Sequence, residues 1–558
     1  MIYNTLYNPI LYGKNMKKIF ISLFILYLQL NGNFIFAEEK FFEPQNSSGK
    51  IQLTVFYLND MHGELTKFGQ IYSAKKIFDE KNSKTNAISS ASGDMFIGKN
   101  KKLNLTVTKM LNRINTDIYT FGNHEFDNGS KALSEDIKKA KFKTIMTNMK
   151  IPKDNPLYKD IKSKKIVSSY ILEKNGEKFG IIGAAPIGVN LGLFDKKYPV
   201  EVFSPKETIE ALNNEIKKLE NKNINKIILV SHLGYYGEGG DLNIAKNTSG
   251  IDVILGGHTH LEINGVQKKD INPTHLTNLV YSKTGEPVII VQTAGINKQI
   301  GYLDVLFDND GNLIENKMNN TVISTDNFKS DKEIEKETEK VLGKNKIVAT
   351  VDIPFISSGS YEERNKENPT ANLVTDAVAD YAKYSNAQVV LMHSPSVREG
   401  LQGQITTYHV KYKMLPFNEK FYYIELSQKD FVDLLNTEAL TSMTTDNSQM
   451  LQCSGMHYTI DKKIKFPKSP DANCIKDITI FDKRNNNEIK INPKNPSEKE
   501  TVKCIVSGYL FVDKRTKNIL ENGKNKKLIG EQQYILLKYL KKHKHINAGR
   551  EGRITIIE

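Results

Sequence analysis

Residues 51–64 read IQLTVFYLNDMHGE. The first eight, IQLTVFYL, form a short run rich in β-branched, aromatic and aliphatic residues, which reads as a β-strand. The chain then breaks into a polar turn that carries Asp60 and His62 beside Gly63. A carboxylate and an imidazole at the carboxyl end of a strand stand where open α/β sheets place their sites.

The same punctuation recurs four times. NAISSA precedes SGD with Asp94, DIYTF precedes GNHE with Asn123 and His124, KIILV precedes SHLG with His232, and DVIL precedes GGHTH with His258 and His260. Glycines beside these residues let the backbone turn sharply. Helices alternate with the strands. The clearest spans Ser204–Asn221, with Ser204 as N-cap, Pro205 first in the helix, Glu207 closing a capping box, and Ile209, Leu212, Ile216 and Leu219 on one face. A lone Asp or His beside glycine is usually a turn residue; five motifs in this order are not. Asp60, His62, Asp94, Asn123, His232, His258 and His260 are seven candidate metal ligands, with His124 standing apart from them. Oxygen and imidazole ligands without cysteine suit zinc, manganese, iron or cobalt. Two such ions can clamp a phosphoryl group and acidify water enough to give hydroxide at neutral pH.

At 558 residues the chain is expected to hold at least two domains. Its 39% hydrophobic and 25% charged content is that of a soluble globular protein. The formal charge of +14 is mostly lysine spread along the chain, which favours anionic substrates and does not outline a nucleic-acid groove. Residues 1–37 read as a leader: Met16-Lys17-Lys18, an apolar IFISLFILYLQL, and a small residue at Ala37, with Met16 as an alternative start. A membrane anchor is the competing reading, but the apolar run is short for a span and Gln29 and Asn31 interrupt its end. The expectation is a periplasmic or secreted protein without a stable anchor in the mature chain. Cys453, Cys474 and Cys504 can form one disulfide at most. Residues 38–329 are read as the first domain. Residues 330–346, charged and poor in apolar side chains, are read as a solvated helical linker. Residues 347–558 are read as the second domain, opening with IVATVDIPF, a helix from about Thr370 to Tyr384 and the strand AQVVLMH.

With GNHE and GHTH in this order, the sequence resembles the calcineurin-like metallophosphoesterases, and within them the 5'-nucleotidase family, over roughly residues 51–558. That family includes periplasmic UDP-sugar hydrolases and 2',3'-cyclic nucleotide phosphodiesterases. The resemblance implies an α/β protein: a four-layered αββα sandwich joined by a helical linker to a C-terminal α/β substrate-binding domain. It implies two divalent metal ions, one held by Asp60, His62, Asp94 and His260, the other by Asp94, Asn123, His232 and His258. His124 takes the place of the family's catalytic histidine and Asp127 that of its orienting carboxylate. In the second domain, Arg364 and Arg398 match phosphate-binding arginines, and Phe417 in LPFNEK matches a ring that stacks on the base. Tyr509 in VSGYLFVDKRT is the candidate second ring; the family's GGDG segment is missing there and Asp513 comes early. His393 stands at the family's asparagine position and is read, with His275, His409, His457, His543 and His545, as structural or surface. The implied activity is hydrolysis of nucleoside 5'-monophosphates to nucleoside and phosphate. The alternatives are a 2',3'-cyclic nucleotide phosphodiesterase or other small-phosphoester hydrolase, and a non-catalytic surface binding protein on the same fold.

Overall fold

The computed structural model describes residues 40–188, 191, 197–268, 276–355, 365–444, 450–463, 473–482, 486–547 and 549–557. The leader, Arg364 and His275 lie outside the described residues.

The strand Ile51–Leu58 lies third in a seven-stranded sheet, between Gln299–Phe307 and Asn86–Ser92. Its alternate side chains serve two different cores. Leu53, Val55 and Tyr57 point into a layer shared with a second, six-stranded sheet, while Phe56 and Leu58 point into an outer layer under helices. Fully burying side chains of this kind is worth about 1.5–3 kcal/mol each. The outer layer is covered by Phe68–Lys81, Lys101–Arg113 and Gly129–Ile137, whose large buried apolar residues belong to the same cluster. Beyond the second sheet, Pro205–Glu220 and Asp241–Asn247 form the fourth layer with Leu212, Ile216, Leu219, Ile244 and Ala245. The Ser204 capping box is present as the sequence predicts. The result is a helix–sheet–sheet–helix sandwich.

Direction positions the site. Ile51–Leu58, Asn86–Ser92 and Ile118–Thr120 run parallel side by side in one sheet. Ile227–Ser231 and Val253–Leu255 run parallel in the other. The loops after all five carry the candidate ligands, and they meet at one end of the sandwich.

The charged stretch after residue 330 folds as the helix Lys332–Leu342, capped by Asp331. It is not solvated all round: Ile334, Thr338 and Leu342, four residues apart, are buried, and Ile334 and Leu342 join the first domain's outer core. The chain then enters a second α/β unit. Its five-stranded sheet runs Leu451–Ser454, Val389–His393, Thr501–Ser507, Lys420–Ser427, Lys524–Glu531, and Pro369–Tyr381 packs beside it. Cys453, Cys474 and Cys504 are buried free thiols, not a disulfide pair.

Candidate active site

Asp60 and Asp94 are anchored in the same way. Asp60 Oδ2 accepts from the His258 backbone N–H at 2.9 Å and from Asn59 Nδ2 at 2.8 Å. Its other oxygen, Oδ1, faces His260 Nε2 at 3.2 Å and the Nε2 atoms of His62 and His232, each at 3.7 Å. Asp94 Oδ1 accepts from the His124 N–H at 2.8 Å, and its Oδ2 faces His232 Nε2 at 3.1 Å and His62 and His124 Nε2 at 4.0 Å. The Nε2 atoms of His62 and His260 lie only 3.0 Å apart. His232 donates its Nδ1 proton to Ser92 O at 2.6 Å, which fixes the tautomer and leaves Nε2 to face inward. Asp60, His62 and His260 form one group whose ligand atoms lie within 4.8 Å of one another; Asp94, His232 and His258 form a second.

These loops are held in uncommon conformations. Asp60, His62, Asp94, His258 and His260 all have φ between 49° and 75°. Non-glycine residues seldom adopt that region, and such strain gathers at functional sites. Gly122 is required by close approach: a Cβ there would collide with Asp94 Oδ1. Glu125 ties the loops together. The residue is 2% exposed, and its carboxylate accepts the backbone N–H groups of Asp94, Met95, Phe96 and Gly122 at 2.7–3.1 Å. It sits inside GNHE, where nothing in the sequence marks this role.

The donor set fits divalent metal ions. Buried Asp60 Oδ1, Asn123 Oδ1, His232 Nε2 and His258 Nδ1 make no hydrogen bond. Buried polar atoms are rarely left so, and each of these is a potential ligand atom. Burial pushes His62 down to about 3 and His258 to about 4, keeping both as neutral, metal-ready imidazoles. Burial works against the charged form of His232 too, yet Asp94 and Asp60 hold it up at about 10. The carboxylate pair thus demands positive charge.

His124 stands beside this cluster. Its Nδ1 meets Asp127 Oδ2 at 2.9 Å, and the Gly98 N–H donates to the same oxygen at 2.7 Å. Burial opposes its charged form, but the Asp127 and Asp94 carboxylates outweigh it and raise His124 to about 9.

A cleft of about 1040 Å³ opens from here, lined by both domains. Phe417 reaches across from the second domain, its ring 5.5 Å from the His124 ring, with the Arg398 guanidinium 5.8 Å from the Phe417 ring. Arg398 lies close enough to feel the carboxylates of Asp94, Asp60 and Asp127. Tyr509 lines the same cleft, stacked on His393 at 4.2 Å and 21°. His393 is 4% exposed, with Nε2 3.5 Å from Glu419 Oε1, so this histidine belongs to the cleft wall and is not a detached structural residue. Asp513 does not line the cleft; Arg515 Nε and Nη2 hold its two oxygens at 2.9 and 2.6 Å.

A double-sheet sandwich with paired Asp/His groups at its strand ends defines a metallophosphoesterase. Residues 53–262 match the family model described as calcineurin-like phosphoesterase, and residues 347–509 match the 5'-nucleotidase C-terminal domain. The chain belongs to the 5'-nucleotidase family of calcineurin-like metallophosphoesterases and is a phosphoester hydrolase. It is 26% identical to the trifunctional nucleotide phosphoesterase protein of Bacillus subtilis (strain 168) over 452 residues, 74% of this chain but only 29% of that protein's length. It is 25% identical to the Homo sapiens 5'-nucleotidase over 462 residues, 74% of this chain and 76% of that one. The crystal structure of a 5'-nucleotidase precursor from Thermus thermophilus shares the fold, at 22% identity and a TM-score of 0.73, covering 91% of this chain and 100% of that one.

Proposed function

We propose that this chain is an exported, metal-dependent phosphomonoesterase acting on nucleoside 5'-monophosphates. The observation that supports it is the set of unpartnered ligand atoms converging beside His124, with Arg398 and Phe417 facing them across one cleft. Asp60, His62, Asp94 and His260 would hold one divalent cation, and Asp94, Asn123, His232 and His258 the other, with zinc, manganese, cobalt or iron suited to these donors. Such cations supply Lewis-acid charge and acidify water.

The chain's own residues do the rest. Asp127 accepts from His124 Nδ1, so the imidazolium presents Nε2–H toward the cluster. There it steadies the charge that grows on the phosphoryl oxygens as water adds to phosphorus and the ester P–O bond breaks. Arg398 brings planar paired donors to the same oxygens. Phe417 offers a face for a base. The departing oxygen takes a proton and leaves as the nucleoside hydroxyl. One observation favours a different small phosphoester: one face of Tyr509 is already covered by His393.

Phosphate release from a nucleotide panel, with and without added metal, tests the reading. Chelation is expected to abolish release, and manganese, cobalt or zinc to restore it. Phe417→Ala is expected to weaken nucleotide binding by about 1–3 kcal/mol, and an aryl phosphate less. Equal losses on both substrates would remove the base from the proposal. Export is supported by the residue 1–37 pattern, and no helix of the described residues is long and apolar enough to cross a membrane. N-terminal sequencing is expected to find a mature chain starting at Glu38.

A further inference from the structure

We infer that the cleft holds a second anion subsite, centred on Lys526 and remote from the metal cluster, for a phosphate carried by the substrate's leaving group. This rests on the nucleotide reading above. Strands Lys420–Ser427 and Lys524–Glu531 pair antiparallel, with Tyr422 opposite Leu528. Strand alternation therefore puts Lys420, Tyr422 and Lys526 on one face, and all three line the cleft. Phe511 closes the corner, its ring 5.4 Å from Tyr422 at 75°. The Lys526 ammonium lies 3.4 Å from the Phe511 ring centre and 4.9 Å from that of Tyr422.

Two aromatic faces hold this cation in place without neutralising it. Burial lowers its pKa, and no carboxylate acts to raise it. Among the described residues, neither Lys526 nor the cleft lysines Lys411 and Lys420 has a carboxylate within ion-pair distance. Arg398 differs: Asp94, Asp60 and Asp127 all act on it. The two cations line one cleft, and only Arg398 is acted on by the carboxylates of the candidate metal cluster. At about 1040 Å³ the cleft is at the upper end of the range for small-ligand sites, with room beyond a single phosphate and its nucleoside. A leaving group with its own phosphate would set that charge against Lys526 and Lys420 while the scissile phosphate stays by His124.

The test uses the metal-loaded full chain with adenosine 5'-monophosphate, adenosine 3',5'-bisphosphate and adenosine 5'-diphosphate, following the 5' product. Wild type is expected to prefer the bisphosphate over the monophosphate by about tenfold in kcat/KM, through KM. Lys526→Gln should bring that ratio near one, and Lys526→Arg should keep it. A wild-type ratio of one overturns the subsite, as does a ratio unchanged in Lys526→Gln. An equal gain with the diphosphate also overturns it, because that extra charge sits at the metal end. Hydrolysis of an aryl phosphate with none of the nucleotides overturns the nucleotide reading and the subsite with it.

Discussion

Asp94 stands between several rings of the cluster: the His124 N–H meets one oxygen, and the rings of His232, His62 and His124 surround the other. Asp94→Ala is therefore expected to lose bound metal altogether, which elemental analysis of the purified variant measures. Metal retained at the wild-type level would refute the bridging role. His124→Ala should keep its metal and lose roughly two to four orders of magnitude in turnover, the range for a positioned acid or electrostatic group. Normal turnover would reduce His124 to a structural residue. Glu125→Ala strands four buried N–H groups, so metal affinity should fall about 10–100-fold and thermal stability with it. The candidate ligands are legible in the sequence because Asp and His beside glycine at successive strand ends leave a periodic mark. Glu125 leaves none: an acid within a short helical turn looks ordinary, and its task is defined by Asp94, Met95 and Phe96, some thirty residues earlier. His393 looks structural in the sequence for a similar reason, since only the fold brings Tyr509 and Glu419 to its two sides.

At the scale of elements, the strands and the Pro205–Glu220 helix follow their sequence patterns closely, because caps and apolar periodicity are local signals. The helix Lys332–Leu342 is the instructive exception. Its charge hides a buried edge of only three residues, Ile334, Thr338 and Leu342. Another helix, Gln428–Thr444, carries a liability. Glu438 is fully buried, neither carboxylate oxygen is hydrogen-bonded, and Arg515 Nη2 stands 3.6 Å away. Burial, with Asp513 adding to it against Arg515, pushes this carboxyl up to about 8 from its usual 4.5. The folded state thus keeps a proton that the unfolded chain has released, and stability should fall as pH rises from about 4.5 through about 8. Glu438→Gln should flatten that part of the profile. Thermal unfolding of both proteins between pH 5 and 8.5 checks it, and parallel profiles would refute it.

Across the whole molecule, every candidate metal ligand belongs to the first domain, whereas Arg398 and Phe417 come from the second. Calorimetry is expected to resolve a transition that chelation lowers and one that it leaves nearly in place, since a ligand stabilises only the unit that binds it. A uniform shift of all unfolding would mean that the two domains melt as one. The first strand also sets a timetable. Ile51 pairs with Phe307, so the central sheet closes only when the chain has been made past residue 307. At ribosomal rates of about 5–20 residues per second, that is roughly 13–50 s after the strand itself emerges. Asp60, in the loop just after that strand, waits all that time for the sheet that positions it. The candidate cluster is thus complete only once the chain has been made past residue 307, and any metal it took up would be drawn from where folding finishes, not from where translation began.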